Sequence, residues 1–393
     1  MLLSIALIIM TALFSAKIFK LLNLPPIIGM LLSGIILGPY ALDLIDDGIL
    51  NIAVDLRQMA LIVILFRAGL SLHLEDLKIV GKKAILLSFI PATIEMLVIF
   101  LLAPIFFDMT YIESLMLGTV VAAVSPAIVV PRMIERMKEH YGTHKKIPHL
   151  ILASASIDDI FVIIMFMASI QLYQGSSLSL MTIIHIPLSI ILGSLLGIMS
   201  GFLHIKIFKL FHMRDTVKVL WIFSLSFLMI VLEHAIKDVI PISGLISVMV
   251  FGISLKHYYP KLADRLHVKF EKIWVIAEIM LFVLVGAVLN ITIIPKIGIY
   301  AVMLIILALL GRVMAVFLAL LKSNLSSKER LFVAFSYLPK ATVQAAIGAI
   351  PLSLGVPMGD LILSIAVLSI LITAPLGAYL MDRTYQKLLT HDI

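Results

Sequence analysis

The sequence predicts an all-α polytopic membrane protein with about thirteen transmembrane helices. Three observations predict it. Hydrophobic residues make up 62% and charged residues 13% of the 393 positions, against roughly 45–50% and about 25% in soluble domains. Mean hydropathy is +1.17. Apolar runs of roughly 20 residues, long enough to cross the hydrocarbon core, recur along the whole chain. No polar stretch between them is long enough for a soluble domain, so residues 1–393 read as a single transmembrane domain.

In chain order, the first six spans cover 2–20, 25–42, 54–72, 84–106, 111–133 and 148–171. The remaining seven cover 180–206, 216–236, 239–256, 271–290, 297–321, 328–352 and 358–381. The first apolar run precedes its basic residues, Lys17 and Lys20. That order predicts a retained first helix and not a cleaved leader. With Arg383 and Lys387 placed in the cytoplasm, thirteen spans put the N-terminus outside. The outer segments then hold only Arg57, Lys237 and Lys296, while Arg67, Arg312 and Lys340 fall in spans or at their edges. Every other basic residue lies in a cytoplasmic segment, Lys78, Lys82 and Lys83 among them. This is the positive-inside bias of a multi-pass inner (plasma) membrane protein. It also accounts for the net charge of +7. The basic residues are spread over short junctions, which excludes a nucleic-acid surface.

The chain repeats itself. LPPIIGMLLSGIILG (24–38) resembles IPISGLISVMVFGIS (240–254), FRAGLSL (66–72) lies opposite LVGAVLN (284–290), and VAAVSPAIVVP (121–131) lies opposite FSYLPKATVQA (335–345). The matches shift the span count by seven, an odd number. The halves, about 1–171 and 216–381, therefore run with opposite orientation, joined by a linking helix at about 180–206. Inverted repeats with paired broken helices are a signature of secondary transporters.

Ionisable residues in mid-membrane cost several kcal/mol and mark ion pathways or buried pairs. Asp158 and Asp159 lie well inside the sixth span. Adjacent residues on a helix point about 100° apart, so the two carboxylates serve different neighbours. One of them can hold a proton or a cation but not both, which suffices for exchange. Glu95 and Arg312 occupy matching positions of the two halves, at the same offset as Gly69 and Gly286. They predict a buried ion pair or a network shared with Asp158. Lys340 follows Pro339 at the break of the twelfth span, where a cation can neutralise a half-helix C-terminal end. In the fifth span Ser125, Pro126 and Pro131 bracket the break. Pro126 removes a backbone donor, so the freed carbonyls and the Ser125 hydroxyl are candidate oxygen ligands for a monovalent cation.

Other chemistries find no support. There is no cysteine, hence no disulfide or thiolate centre. The eleven histidines form no spaced zinc motif, and no GxxxxGK phosphate loop occurs. His140, His144 and His149 lie in the basic segment 132–149 and read as a solvated loop. No nucleophile is paired with a base at a membrane face, so an enzyme is not expected, nor a cofactor or resident metal.

The motifs GTVVAAVSPAIVVPRM (118–133), SASIDDI (154–160), LLGRVMA (309–315) and YLPKATVQAAIGA (337–349) resemble those of the NHA-type sodium/proton antiporters of the monovalent cation:proton antiporter superfamily. The resemblance implies an NhaA-type fold: two crossed broken helices in a six-helix core and a separate dimerisation domain. It implies a homodimer moving by an elevator mechanism, embedded among membrane lipids. Asp159 corresponds to the ion- and proton-binding carboxylate, with Asp158 beside it. Arg312 stands where many electrogenic relatives carry Lys, partnered by Glu95, and Lys340 matches the basic residue at the crossover. The function so implied is antiport of Na+ or Li+ against H+. A potassium/proton exchanger and a gated cation channel are the alternatives.

Overall fold

The computed structural model of the chain describes residues 1–71, 81–175, 180–211, 213–236 and 240–392. Lys78 and Lys237 of the topology argument lie outside the described residues. The described residues form helices α1 (Leu2–Leu21), α2 (Pro26–Leu37), α3 (Asp47–Asn51), α4 (Ala53–Ser71), α5 (Lys82–Phe107), α6 (Tyr111–Ala122), α7 (Pro126–Lys138), α8 (Ile147–Gln174) and α9 (Leu180–Leu210). The second half continues with α10 (Asp215–Ile236), α11 (Gly244–Tyr258), α12 (Pro260–Ala287), α13 (Ile294–Ala319), α14 (Ser327–Ser336), α15 (Thr342–Gly348), α16 (Ile350–Ser353) and α17 (Gly359–Leu388). Among the described residues there is no strand.

Among the described residues eight spans are long and apolar enough to cross a membrane, with α6 and α7 taken together as one. The shorter α2, α11 and Thr342–Ser353 are also apolar. With α4 and α12 the count is consistent with the thirteen predicted spans.

Local chemistry sets the helix ends. Proline, which needs no intrahelical donor in the first turn, opens α2 and α7. The two helices that lead into the breaks, α6 and α14, both start with a capping box. Thr110 Oγ1 accepts the Glu113 N–H at 3.3 Å while the Glu113 carboxylate accepts the Thr110 N–H at 2.9 Å. Ser326 and Glu329 repeat the arrangement at 3.3 and 2.6 Å.

Several predicted boundaries shift by five residues or more: the second span ends at Leu37, the fifth at Lys138 and the last at Leu388, and two helix starts move for identifiable reasons. The span expected at 271–290 is α12, which begins at Pro260. Its first turns bury Leu262, Ala263, Leu266 and Phe270 on one stripe, so amphipathic spacing extends the helix into charged sequence. The span expected at 239–256 starts at Gly244, because Pro241 precedes and Ser243 caps it, accepting the Ile246 N–H. Pro131 is a correction of another kind. It lies inside α7 on an exposed face and is not part of the break, which spans Ala123–Ser125. The only carbonyl it deprives of a partner is that of Ala127, itself exposed, so the helix runs through it.

The chain forms two compact units. One comprises Met1–Val54, Glu75–Ile170 and Ile279–Ile393, the other Asp55–Leu74 and Gln171–Glu278. In the first, α5 packs along α13 and α6, and α17 packs against α6, α14 and α15. In the second, α11 packs along α9 and α10. Membrane helices gain little from apolar burial against each other, so close backbone approach at small residues takes over. In the first unit a Cβ at Gly34 would sit 2.0 Å from the Val283 carbonyl oxygen, and one at Gly286 2.2 Å from that of Leu31. In the second unit a Cβ at Gly69 would sit 2.2 Å from the Met249 oxygen, and one at Gly252 2.7 Å from that of Phe66. Residues 34 and 252 are 218 apart and residues 69 and 286 are 217 apart, so the two contacts pair glycines separated by nearly the spacing of the repeat.

Candidate functional site

The site lies in the first unit, where two helices are interrupted. Helix α6 ends at Ala122, Ala123–Ser125 are extended, and α7 restarts at Pro126. In an unbroken helix the residue-126 N–H would bond the Ala122 carbonyl. Pro126 has no N–H, so that carbonyl is released. The second interruption separates α14 from α15 around Pro339 and Lys340. The breaks touch directly: the Ser125 N–H donates to the Pro339 carbonyl at 2.9 Å. The Lys340 N–H donates to Thr373 Oγ1 of α17 at 2.9 Å.

Charges from four elements converge on the crossing. Arg312 of α13 donates from Nη1 to Glu95 Oε2 and to the Ala122 carbonyl. Its Nη2 reaches Asp158 Oδ1 at 3.0 Å. Lys340 Nζ donates to Glu95 Oε2 at 2.7 Å and to the Ala122 carbonyl at 3.3 Å. Asp158 Oδ2 accepts the Val124 N–H at 2.9 Å. The carbonyl freed by Pro126 is thus taken by two cations, at the half-helix end where a positive charge is favoured. Glu95, Asp158, Arg312 and Lys340 are all 0% exposed. Charges so buried persist only when paired and hydrogen-bonded, and ion pairs join these four, with Glu95 Oε1 and Arg312 Nε left unpartnered among the described residues.

Asp159 differs. Its side chain is buried, yet Oδ1 has no hydrogen-bond partner among the described residues. Ser125 Oγ is likewise without a partner. Ser125 occupies the N-cap position of α7, where a serine ordinarily binds a first-turn N–H, but here it makes no such bond. The two aspartates do serve different neighbours: Asp158 is locked in the network and Asp159 keeps a free oxygen.

The structure brings Glu95, Arg312, Lys340, Asp158 and the Pro126 and Pro339 breaks together. Lys340 reaches the end of the other broken helix and pairs with Glu95, a partner its sequence position did not indicate. Sequence reasoning missed two further buried side chains. Gln344 Nε2 donates to the Val121 and Ala123 carbonyls at 3.2 and 2.7 Å. Tyr337 donates to Ser154 Oγ at 2.5 Å and carries the Arg312 guanidinium 5.4 Å above its ring. The one sequence sign of Gln344 is an amide one helical turn beyond Lys340 in a largely apolar run, which does not tell its partners. Among the described residues no cluster of three or more His, Asp or Glu is placed to hold a metal.

Comparison with known proteins agrees with this geometry. The family profile "Sodium/hydrogen exchanger, transmembrane" matches residues 5–382. Sodium/hydrogen exchanger 9B2 of Mus musculus is 30% identical over 373 residues, covering 91% of this chain and 67% of that protein. The Homo sapiens 9B2 protein is 30% identical over 392 residues, covering 95% and 72%. Among solved structures, the sodium proton antiporter MjNhaP1 from Methanocaldococcus jannaschii superposes with a TM-score of 0.83 at 21% identity, covering 98% of this chain and 97% of that one, which establishes a shared fold. A family match over nearly the whole length, on a chain whose breaks and buried charges meet at one point, means that this protein belongs to the transmembrane sodium/hydrogen exchanger family.

Proposed function

We propose that the protein exchanges Na+ or Li+ for H+ across the membrane, the two competing for Asp159. The carrying observation is the contrast between the aspartates. Asp158 is consumed by Arg312 and Val124, while Asp159 offers an unpartnered carboxylate oxygen. Charge balance supports the competition. Arg312 and Lys340 stand against Glu95, Asp158 and Asp159, leaving one negative charge. One proton or one monovalent cation on Asp159 brings the buried cluster to neutrality; both at once would leave a buried positive charge, which is costly. The same count supports one-for-one exchange.

The wider reading has the protein as a homodimer in the plasma membrane, N-terminus outside and C-terminus in the cytoplasm, with the site-bearing helices moving in an elevator manner. The loop-charge bias supports the orientation, and family membership supports the dimer and the movement. The two capping boxes and the two matched glycine contacts support inverted repeats at about 1–171 and 216–381.

The test uses purified protein in liposomes loaded with a pH-sensitive dye, with Na+, Li+ and K+ added in turn to wild type and Asp159→Asn. Proton movement on Na+ or Li+ addition, lost in the variant, is the expected result. Proton movement with K+ alone would replace the substrate. Tracer cation flux with no proton movement would refute exchange and indicate a channel.

A further inference from the structure

Every buried backbone carbonyl must find a donor, and a broken helix leaves several at its end. At the end of α6 three successive carbonyls are taken by side chains. Val121 and Ala123 go to Gln344, and Ala122 between them goes to Arg312 and Lys340. The Gln344 carboxamide is fixed from its other side as well, because its Oε1 accepts the Ala341 N–H at 2.8 Å. Oxygen toward a donor and nitrogen toward two acceptors is the one orientation that satisfies all three contacts. Gln344 is 0% exposed, so no water competes for these bonds.

We propose that Gln344 is a specificity-determining positioning residue: it holds the Val121 and Ala123 carbonyls and so withholds them from the transported cation. The unpartnered side-chain oxygens then left to the cation are those of Asp159 and Ser125, since the third at this site, Glu95 Oε1, belongs to a carboxylate already paired with Arg312 and Lys340. This inference rests on Asp159 being the cation site. Its consequence is selectivity. Attraction to a full carboxylate charge grows as the ions approach, so a small cation gains more from Asp159 than a large one. Arrays of backbone carbonyls, by contrast, are how proteins replace the hydration shell of K+. Satisfying these three carbonyls from within the protein biases the site toward Na+ and Li+ over K+.

The experiment compares wild type with Gln344→Met, which keeps the length and removes both donors. A second variant, Gln344→Glu, keeps the acceptor for Ala341 and also has no amide to donate, so the comparison survives if one variant fails to fold. Apparent affinities for Na+, Li+ and K+ are read from cation-induced thermal stabilisation, alongside exchange in liposomes. The expected result is that the Na+ preference over K+ falls about fivefold or more, the scale of one or two hydrogen bonds gained or lost. A helix cap without a role in selection would lower thermal stability and leave the affinity ratio unchanged, and that outcome would overturn the proposal. Asp159→Asn is measured in parallel. Loss of cation stabilisation there with an unchanged ratio in the Gln344 variants refutes the role of Gln344 alone. Retained stabilisation in Asp159→Asn refutes the Asp159 site and this inference with it.

Discussion

Arg312 is the residue whose removal the structure makes most quantitative. It bridges Glu95, Asp158 and the Ala122 carbonyl. Arg312→Leu leaves Lys340 as the one cation against Glu95, Asp158 and Asp159, so the buried excess grows from one negative charge to two. Breaking a buried pair by deleting one partner costs about 3–5 kcal/mol, and the orphaned Asp158 oxygen keeps only its other oxygen's bond to Val124. Glu95→Leu on its own errs in the other direction: Arg312 retains Asp158, but Lys340 retains only a carbonyl. The double variant Glu95→Leu, Arg312→Leu returns the excess to one negative charge, with Lys340 facing Asp158 and Asp159. It should therefore be more stable than Arg312→Leu despite carrying an extra substitution, by about 1–3 kcal/mol on the scale of coupled neighbours. Thermal denaturation of the three variants in detergent reads the order. A double variant no more stable than the Arg312 single would refute the reasoning, because the cost would then be lost packing and not unbalanced charge. Arg312→Lys separates charge from shape. It keeps the charge, but a single ammonium lacks the planar fork that spans two carboxylates, so intermediate stability is expected.

Other outcomes follow from the same geometry. If the charge count governs stoichiometry, Na+/H+ exchange in liposomes is indifferent to an imposed potassium diffusion potential; a rate that follows the potential would require a second proton from Lys340 or Glu95. Ser125→Ala removes a free hydroxyl without breaking any bond to it, so the apparent KM for Na+ rises while thermal stability holds. Gly34→Ala forces a methyl against the Val283 backbone, and overpacking of this kind costs about 1–3 kcal/mol, readable as a lower melting temperature. At the C-terminal end, Asp392 accepts the His144 N–H at 2.8 Å and the Thr143 hydroxyl at 2.9 Å. The His144 backbone bond, the largest cause, holds its carboxyl below the usual carboxylate range. A depressed folded-state value means the clasp contributes at pH above the ordinary value of about 4 and is lost as pH falls through the folded one. At neutral pH, Asp392→Asn should speed amide hydrogen exchange at His144 and Gly142, and the difference should vanish in strong acid.

What the sequence made legible was what local chemistry dictates. Pro126 and Pro339 announce breaks because a missing donor acts on its own helix, and Asp158, Glu95, Arg312 and Lys340 stand out because charge in an apolar run is expensive. The Glu95–Arg312 pairing could be read as well, since repeat symmetry supplied the non-local information that a single position lacks. Pro131 misled for a physical reason. The consequence of a proline depends on which carbonyl it orphans: at 126 that carbonyl is buried Ala122, which then needs two cations, and at 131 it is exposed Ala127, which needs no such rescue. The extension of α12 back to Pro260 was hidden because charge lowers hydropathy without disturbing the helical spacing of Leu262, Leu266 and Phe270.

Gln344 was hidden for the opposite reason. A neutral amide in an apolar helix raises no electrostatic alarm, and nothing local tells whether its partners are its own turn or another helix. Its role depends on a tertiary fact, the crossing of the two breaks that sets α15 beside the last carbonyls of α6. The same crossing explains why the functional oxygens are so few. Each interruption creates unsatisfied backbone groups, and the other interruption supplies most of the partners: Pro339 for Ser125, Lys340 for Ala122, Gln344 for Val121 and Ala123. What the two breaks leave unpartnered includes Asp159 Oδ1 and the Ser125 hydroxyl, whereas the unpartnered Glu95 Oε1 and Arg312 Nε belong to side chains already held in ion pairs. A site in which every buried carboxylate but that of Asp159 is held in an ion pair is set up to take one small cation or one proton there, and to be returned to balance by either.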